Sequence, residues 1–498
     1  MKKEKIFTLL GLIVLMITCF LISYFMLLNQ SITLDEAQSI NQALLPVPQL
    51  MVYMAHDVNT FLYILILHFW MQFFGTGIVQ VRLLSLIFML VSIPVVYKVY
   101  KESSNRNIAI IAIVFFSLSP FIIWYSSIAR TYTLFILATG LSHLYFLRLM
   151  KSNGEKGKLG YFLSSVLGIY VHYFFIFLIF SQGLYILWRT FINYKEENLR
   201  YRFFMGKQLL LKYFTLLFLW MLVFLPWLWF VYKSGLAYGM TPLIEKPTSY
   251  TLFASFSDFI FGFQPLDSQA LLITAYPLLS IVILLVFTRK YHARIKNLSY
   301  FAFITFFPIL LIYLISYIYP ILLDRYLIFT LPSLFFLITI MLTGYGKKAT
   351  SILVSGFFII LVGSMVIQNI SYDSSAKEDY FGATQYLNTH VTPQDIIAVS
   401  APFTVYPVEY FYTGNSEIDT IPQWNQFSSG GMPIFTLKGL QQQMNDYKKV
   451  YQNIYILFSY NQGSQEQIIN YLDTHYQREK LINYTYGMQL REYKLRYN

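Results

Sequence analysis

Charge is scarce in this chain and cysteine almost absent. Only 12% of the 498 residues are Asp, Glu, Lys or Arg, while 56% are hydrophobic and 19% aromatic. An ordinary soluble domain carries about 25% charged residues, so the composition, with its mean hydropathy of +0.53, indicates a polytopic membrane protein. The single cysteine, Cys19, excludes an intrachain disulfide framework and a thiol-held metal; inside the first apolar run it reads as packed or lipid-facing. There is no G-x-G-x-x-G, no P-loop and no H-E-x-x-H, and the seven histidines are scattered. Neither a nucleotide fold nor a histidine-based zinc site is therefore indicated. A divalent cation held by Asp and Glu is chemically compatible, but no motif supports one, so no cofactor is assigned.

The net charge of +12 invites a nucleic-acid reading, which its distribution excludes. Residues 1–370 hold 27 Lys and Arg against 12 Asp and Glu, and 22 of those 27 fall in short loops or ends between apolar runs. The remainder, from 371 onward, holds 9 bases against 12 acids. Basic loops between spans are the positive-inside signature, so the charge encodes topology. Lys2, Lys3 and Lys5 hold the start of the first span, about 6–28, in the cytoplasm, and this span reads as a retained anchor. Basic clusters at 98–106, 148–158, 189–212, 289–296 and 347–348 then require an even number of crossings between neighbours. Apolar runs near 79–98, 107–125, 131–149, 159–173, 174–190, 209–231, 269–288, 299–319, 323–344 and 350–369 satisfy this. With the first they make about eleven transmembrane helices, with the N-terminus cytoplasmic and the tail outside.

Two stretches need a decision. Residues 61–75 are apolar but at the lower limit for a crossing, and a crossing there would export every later basic loop. They read as a juxtamembrane helix on the outer surface. Residues 159–190 are flanked by bases on both sides, so they must cross twice as two short helices turning near His172. The outer loops are 29–78 and 232–268, the latter broken by Pro242, Pro247, Gly262 and Pro265. The transmembrane part is thus 1–370, and 371–498 forms a small extracytoplasmic α/β domain. In that domain a helix follows Ser374/Ser375, strands lie at 395–401 and 453–459, Ser464 caps a second helix, and REYKLRY alternates like an edge strand.

The ionisable residues that this topology brings to the outer side are few: Asp35, Glu36, His56, Asp57, Arg82, Arg130, His172, Asp324 and Arg325. Charges at the membrane rim usually face a cavity, a cation or a substrate. Asp35 and Glu36, in TLDEAQS, suit a helix cap and also a general base that activates a hydroxyl; one carboxylate can work while the other caps. Arg130 (SSIARTYTL) and Arg325 (LLDRYLIF) suit headgroup anchors, an ion pair with Asp324, or a phosphate clamp. His172 sits among aromatics in YVHYFF, and Arg82 suits an anchor or a site residue equally.

Together these stretches resemble the glycosyltransferase C superfamily, in particular the group of protein O-mannosyltransferases and aminoarabinose transferases (glycosyltransferase family thirty-nine). The resemblance runs over roughly 1–345 through LDEAQSI, NTFLYILILHFWMQFFG, VRLLS, IARTY, VHYFF and DRYLIFTLP, in order. It implies inverting transfer of a sugar from a polyprenyl-phosphate donor to a hydroxyl acceptor outside a cell membrane. It further implies Asp35 as the base with Glu36 beside it, and Arg325, Arg130 and His172 on the donor phosphate; His56, Asp57, Arg82, Asp324 and Tyr326, at the same rim, are the further candidates for substrate contacts. The chain departs from the group where His-Pro-Pro is usual: Asn59-Thr60-Phe61 stands there, with His56 and Asp57 upstream, which points to a different substrate. The competing class is a transporter or lipid flippase with a charged outward cavity; such proteins show paired, broken repeats, and no repeat is evident here.

Overall fold

The computed structural model describes residues 2–57, 59–151, 156–192, 199–234, 244, 246–264, 297–370, 378–425, 433–461, 463–484 and 487–496. It divides into two compact units. One comprises Met1–Leu28, Asn59–Ser234 and Ile244–Ile370, and the other Asn29–Val58, Gly235–Leu243 and Ser371–Asn498. The expected span at 269–288, the basic cluster at 289–296 and Ser374/Ser375 lie outside the described residues.

The first unit is helical. Its elements are α1 (Lys2–Asn29), then, after two helices that belong to the other unit (α2, Leu34–Leu44, and α3, Val47–Ala55), α4 (Leu62–Phe74), α5 (Ile78–Ser103), α6 (Arg106–Ser117), α7 (Pro120–Ser126), α8 (Tyr132–Lys151), α9 (Lys158–Val171) and α10 (Phe175–Ile192). It continues with α11 (Leu199–Lys233), α12 (Ser249–Phe261), α13 (Leu298–Ile315), a 3-10 turn at Asp324–Thr330, α14 (Leu331–Leu342) and α15 (Lys347–Ile370). Among the described residues seven helices are long and apolar enough to cross a membrane, and the chain is a multi-pass membrane protein. Of the other four expected crossings, one is a bent pair, two are the shorter helices around His172, and one lies outside the described residues. Helix α4, with 13 residues, is about 20 Å long and cannot cross a core of about 30 Å upright.

Two expected spans are not continuous helices. The run 107–125 breaks by 59° between Ser117 and Pro120, because proline has no N–H for the ladder and disfavours helix in the residue before it. The run 323–344 opens as the 3-10 turn Asp324–Thr330 before Pro332 seeds α14. Both departures put irregular backbone deep in the unit, tolerable in a membrane only where protein or a cavity surrounds it.

Close packing needs small residues where helices touch. A Cβ on Gly168 would lie 2.2–2.4 Å from the ring of Phe175, which is fully buried. Glycine there lets α9 and α10 close around His172. A polar ladder crosses the same bundle: Gln182 accepts from Tyr161 (2.7 Å) and donates to Ser142 and Tyr300 (3.1 Å each), and Tyr300 meets His143 Nδ1 at 2.7 Å.

The second unit is an α/β domain. Its strands are β1 (Ile396–Ser400), β2 (Glu417–Thr420), β3 (Asn453–Phe458), β4 (Gln477–Asn483) and β5 (Gln489–Lys494), in the order β2-β1-β3-β5-β4. β1 runs parallel to β2 and β3, and β5 runs antiparallel to β3 and β4. Ile396, Ala398, Ile454, Ile456 and Phe458 form a core with Leu440 and Met444 of α18 (Leu437–Val450) and Ile468 and Leu472 of α19 (Gln465–His475). Helices α16 (Tyr380–His390) and α17 (Val405–Phe411) complete it. The expected edge strand is corrected: REYK lies inside the sheet as β5, and the edge is the mostly exposed QREKLIN of β4. Asp379 caps α16 through Gly382 N (2.9 Å), whereas Ser464 begins α19 without a side-chain capping bond.

Residues 29–58 belong to this unit. Tyr53 and Tyr406 share a hydroxyl hydrogen bond of 2.7 Å, Phe381 N donates to Ser31 Oγ (3.4 Å), and Leu34 N donates to Glu378 Oε2 (2.9 Å).

Candidate active site

In the helical unit, residues from three distant stretches meet around His172. The break at Pro120 leads through α7 into the turn that carries Arg130, which is 6% exposed. That turn is pinned twice: Thr131 Oγ1 donates to Val171 O (3.0 Å), and Ser85 Oγ donates to Arg130 O (3.1 Å) while Tyr63 OH holds Ser85 (2.8 Å). His172 ends α9 in extended backbone and stacks on Phe135 with centroids 4.7 Å apart and planes 4° from parallel. Tyr326 meets its edge at 5.1 Å and Tyr132 at 6.5 Å. The guanidinium groups of Arg130 and Arg325 lie 5.8 Å from the Tyr132 and Tyr326 ring centroids, respectively.

The tautomer of His172 follows from its bonds. Phe174 N donates to Nδ1 (3.1 Å), so the neutral ring carries its proton on Nε2. Nε2 is buried and has no hydrogen-bond partner among the described residues. Burial, together with the charges of Arg130 and Arg325, pushes the His172 pKa down to about 3. The result is a neutral N–H donor flanked by two cations, which is a chemical match for an anion with several acceptor oxygens.

Asp324 is engaged from α12: Ser255 Oγ donates to Oδ1, and Asp258 of α12 lies within hydrogen-bond reach of the same carboxyl, with Arg325 close by. Arg82 is fully buried, and Nη1 donates to Leu27 O (2.7 Å) at the C-terminal end of α1. A cation there meets orphan carbonyls and the negative helix end, which makes Arg82 a brace between α1 and α5.

In the second unit, Thr33 opens α2 with a full capping box: Glu36 N donates to Thr33 Oγ1 (3.3 Å) and Thr33 N donates to Glu36 Oε2 (3.0 Å). Glu36 is buried as the capping partner, and Asp35, in the same first turn, is only half-buried. Asp57 accepts from Gln42 Nε2 (2.8 Å) and, more loosely, Gln38 Nε2 (3.4 Å); His56 Nδ1 meets Val52 O at 2.8 Å. Sequence reasoning missed Glu378 and Tyr460 beside this turn, and Ser255 and Asp258 beside Asp324. A lone acid in the apolar run SYTLFASFSDFIF was the available sign for Asp258; Glu378, in a mildly acidic tail, had none.

A bundle of this kind with a cationic, aromatic-lined centre and an appended α/β unit has the fold of the glycosyltransferase C group. Residues 58–230 match the family model described as dolichyl-phosphate-mannose-protein mannosyltransferase. That segment includes Arg82, Arg130 and His172 and leaves Asp35, Glu36 and Arg325 outside. The chain is similar in fold to the crystal structure of ArnT from Cupriavidus metallidurans bound to undecaprenyl phosphate, with TM-score 0.56, 11% identity and 97% and 98% of the two chains covered. The apo state of that protein gives TM-score 0.57 and 10% identity over the same shares. No curated protein sequence matches the chain.

Proposed function

We propose that this protein transfers a sugar, with inversion, from a polyprenyl-phosphate donor to a hydroxyl acceptor on the outer side of the membrane. The observation that carries the proposal is the buried His172 Nε2–H, which has no hydrogen-bond partner among the described residues and lies in the field of Arg130 and Arg325. The fold shared with a protein crystallised with undecaprenyl phosphate supports the same ligand class.

In this reading Asp35 takes the acceptor's hydroxyl proton, and the oxygen attacks the anomeric carbon from the face opposite the phosphate. The anomeric C–O bond breaks, and its electron pair leaves on the lipid phosphate. Fixed cations at Arg325 and Arg130 meet the charge that develops there, and His172 Nε2–H donates to a phosphate oxygen. Being preorganised, these groups need no rearrangement as the charge grows. A membrane location suits the chemistry, because the donor's hydrocarbon tail never leaves lipid. Asp324, Tyr326, His56 and Asp57 are proposed to line the path of substrate, and Glu36 and Arg82 to support it through α2 and α1. The basic loops support a cytoplasmic N-terminus and an outer tail.

The test has two parts. Purified full-length protein in nanodiscs is titrated with undecaprenyl phosphate, and membranes are assayed with radiolabelled undecaprenyl-phosphate hexoses and pentoses. Arg325→Ala and Arg130→Ala should each weaken phosphate binding by about 10-fold or more, and Asp35→Asn should abolish transfer while leaving binding intact. Wild-type binding by both arginine variants, in folded protein, overturns the phosphate assignment.

A further inference from the structure

The tail supplies a carboxyl to the first turn of α2, and nothing in the resemblance points to it. Glu378 Oε2 accepts the Leu34 amide (2.9 Å), the first residue of α2, and Oε1 accepts from Tyr460 OH. An amide in the first turn has no partner within its own helix, so Glu378 closes what the Thr33–Glu36 box leaves open. The two carboxylates of that turn, Asp35 and Glu36, both act on Glu378 electrostatically. From the tail it is faced by Tyr460 and by Tyr380, whose hydroxyl donates to Ser459 Oγ (3.1 Å).

We propose that Glu378 is a positioning residue for Asp35, fixing the first turn of α2 from the tail and adding or withholding one negative charge beside it. The inference rests on the reading of Asp35 as the base. Its geometry is one carboxyl with two oxygens spent on two different donors, so neither oxygen is spare to rotate away. Burial raises the Glu378 pKa to about 7; the Tyr460 hydroxyl and Leu34 amide oppose the rise, and Asp35 and Glu36 add to it. The folded protein therefore meets neutral pH with Glu378 near half-ionised. Once ionised, Glu378 makes Asp35 a stronger base by like-charge repulsion; when protonated, it drops that push and accepts more weakly from the Leu34 amide and Tyr460.

The experiment compares wild type, Glu378→Gln, Tyr460→Phe and Asp35→Asn as full-length protein in nanodiscs. A water-soluble carbodiimide, which modifies protonated carboxyls, is applied from pH 4 to 9, and labelling of Asp35 and Glu378 is read by mass spectrometry. Glu378 should label with a midpoint near pH 7 in wild type. In Asp35→Asn, which removes one of the two charges that hold Glu378 up, the Glu378 midpoint should fall by roughly half a pH unit or more, while Glu378→Gln, which imitates the neutral form, should flatten the pH profile of transfer around pH 7. Tyr460→Phe, which removes one donor, should move the Glu378 midpoint upward and provides an independent reading should Asp35→Asn fail to fold. A Glu378 midpoint that is the same in wild type and Asp35→Asn overturns the inference, whatever Asp35→Asn does to transfer. A shifted midpoint together with full transfer by Asp35→Asn would overturn the base assignment and leave the positioning intact.

Discussion

His172 should stay uncharged through the whole physiological range. Its ordinary pKa of 6.5 falls to about 3 in the fold, burial being the first cause and Arg130 and Arg325 the next. Charging this ring in place therefore costs on the order of 5 kcal/mol more than in water. The residue is 4% exposed, so solvent screens little of that. Above pH 6.5 the ring is neutral folded or unfolded and contributes no pH dependence to stability. As pH falls from 6.5 towards 3, the unfolded chain takes a proton that the folded chain refuses, and stability drops by up to about 1.4 kcal/mol per pH unit. Histidine-selective NMR on nanodisc-embedded protein without donor checks this, with the His172 signal identified by its loss in His172→Gln. Wild type should show no midpoint between pH 5 and 8, and Arg325→Ala should raise the midpoint without restoring 6.5, since burial remains. A His172 signal that titrates near 6.5 would refute the neutral-donor argument. So would an acidic limb in the transfer rate at about pH 6.5 that vanishes in His172→Gln.

Gly168→Ala should force a Cβ against the buried Phe175 ring; overpacking of this kind costs about 1–3 kcal/mol, and undecaprenyl phosphate affinity should fall with it as the His172 turn moves. Gly356→Ala, whose added Cβ would meet nothing within 4 Å, is the silent control, with thermal melts and the binding titration as the readout. Arg82→Met should keep the bulk of the side chain and lose the bond to Leu27 O. Removing a charged donor from a buried acceptor should destabilise the protein by about 2–4 kcal/mol, measured by denaturant unfolding in mild detergent. Unchanged stability would show that α1 does not depend on Arg82.

The sequence by itself determined the class of architecture. Its charge was too sparse and too concentrated between apolar runs for anything except a multi-pass bundle, and the abrupt change after residue 370 marked a second kind of fold. The bases on both flanks of residues 159–190 also located the helices on either side of His172, because a stretch with both ends on one side of the membrane must cross and return. It could not determine what each irregular residue does, since that depends on partners far away in the chain. Leu27 O made Arg82 a brace, and Asp258 and Ser255 engaged Asp324. Likewise the sequence had β5 as an edge strand, because alternation records which faces are covered and says nothing about which strand lies alongside. The deepest such case is the turn at Leu34–Glu36: two adjacent acids were visible at once, but the third carboxyl, Glu378, lies 342 residues after Glu36 and meets them only because the tail folds onto α2. Local chemistry is written locally; the electrostatics of a buried carboxyl depend on what tertiary contact places beside it.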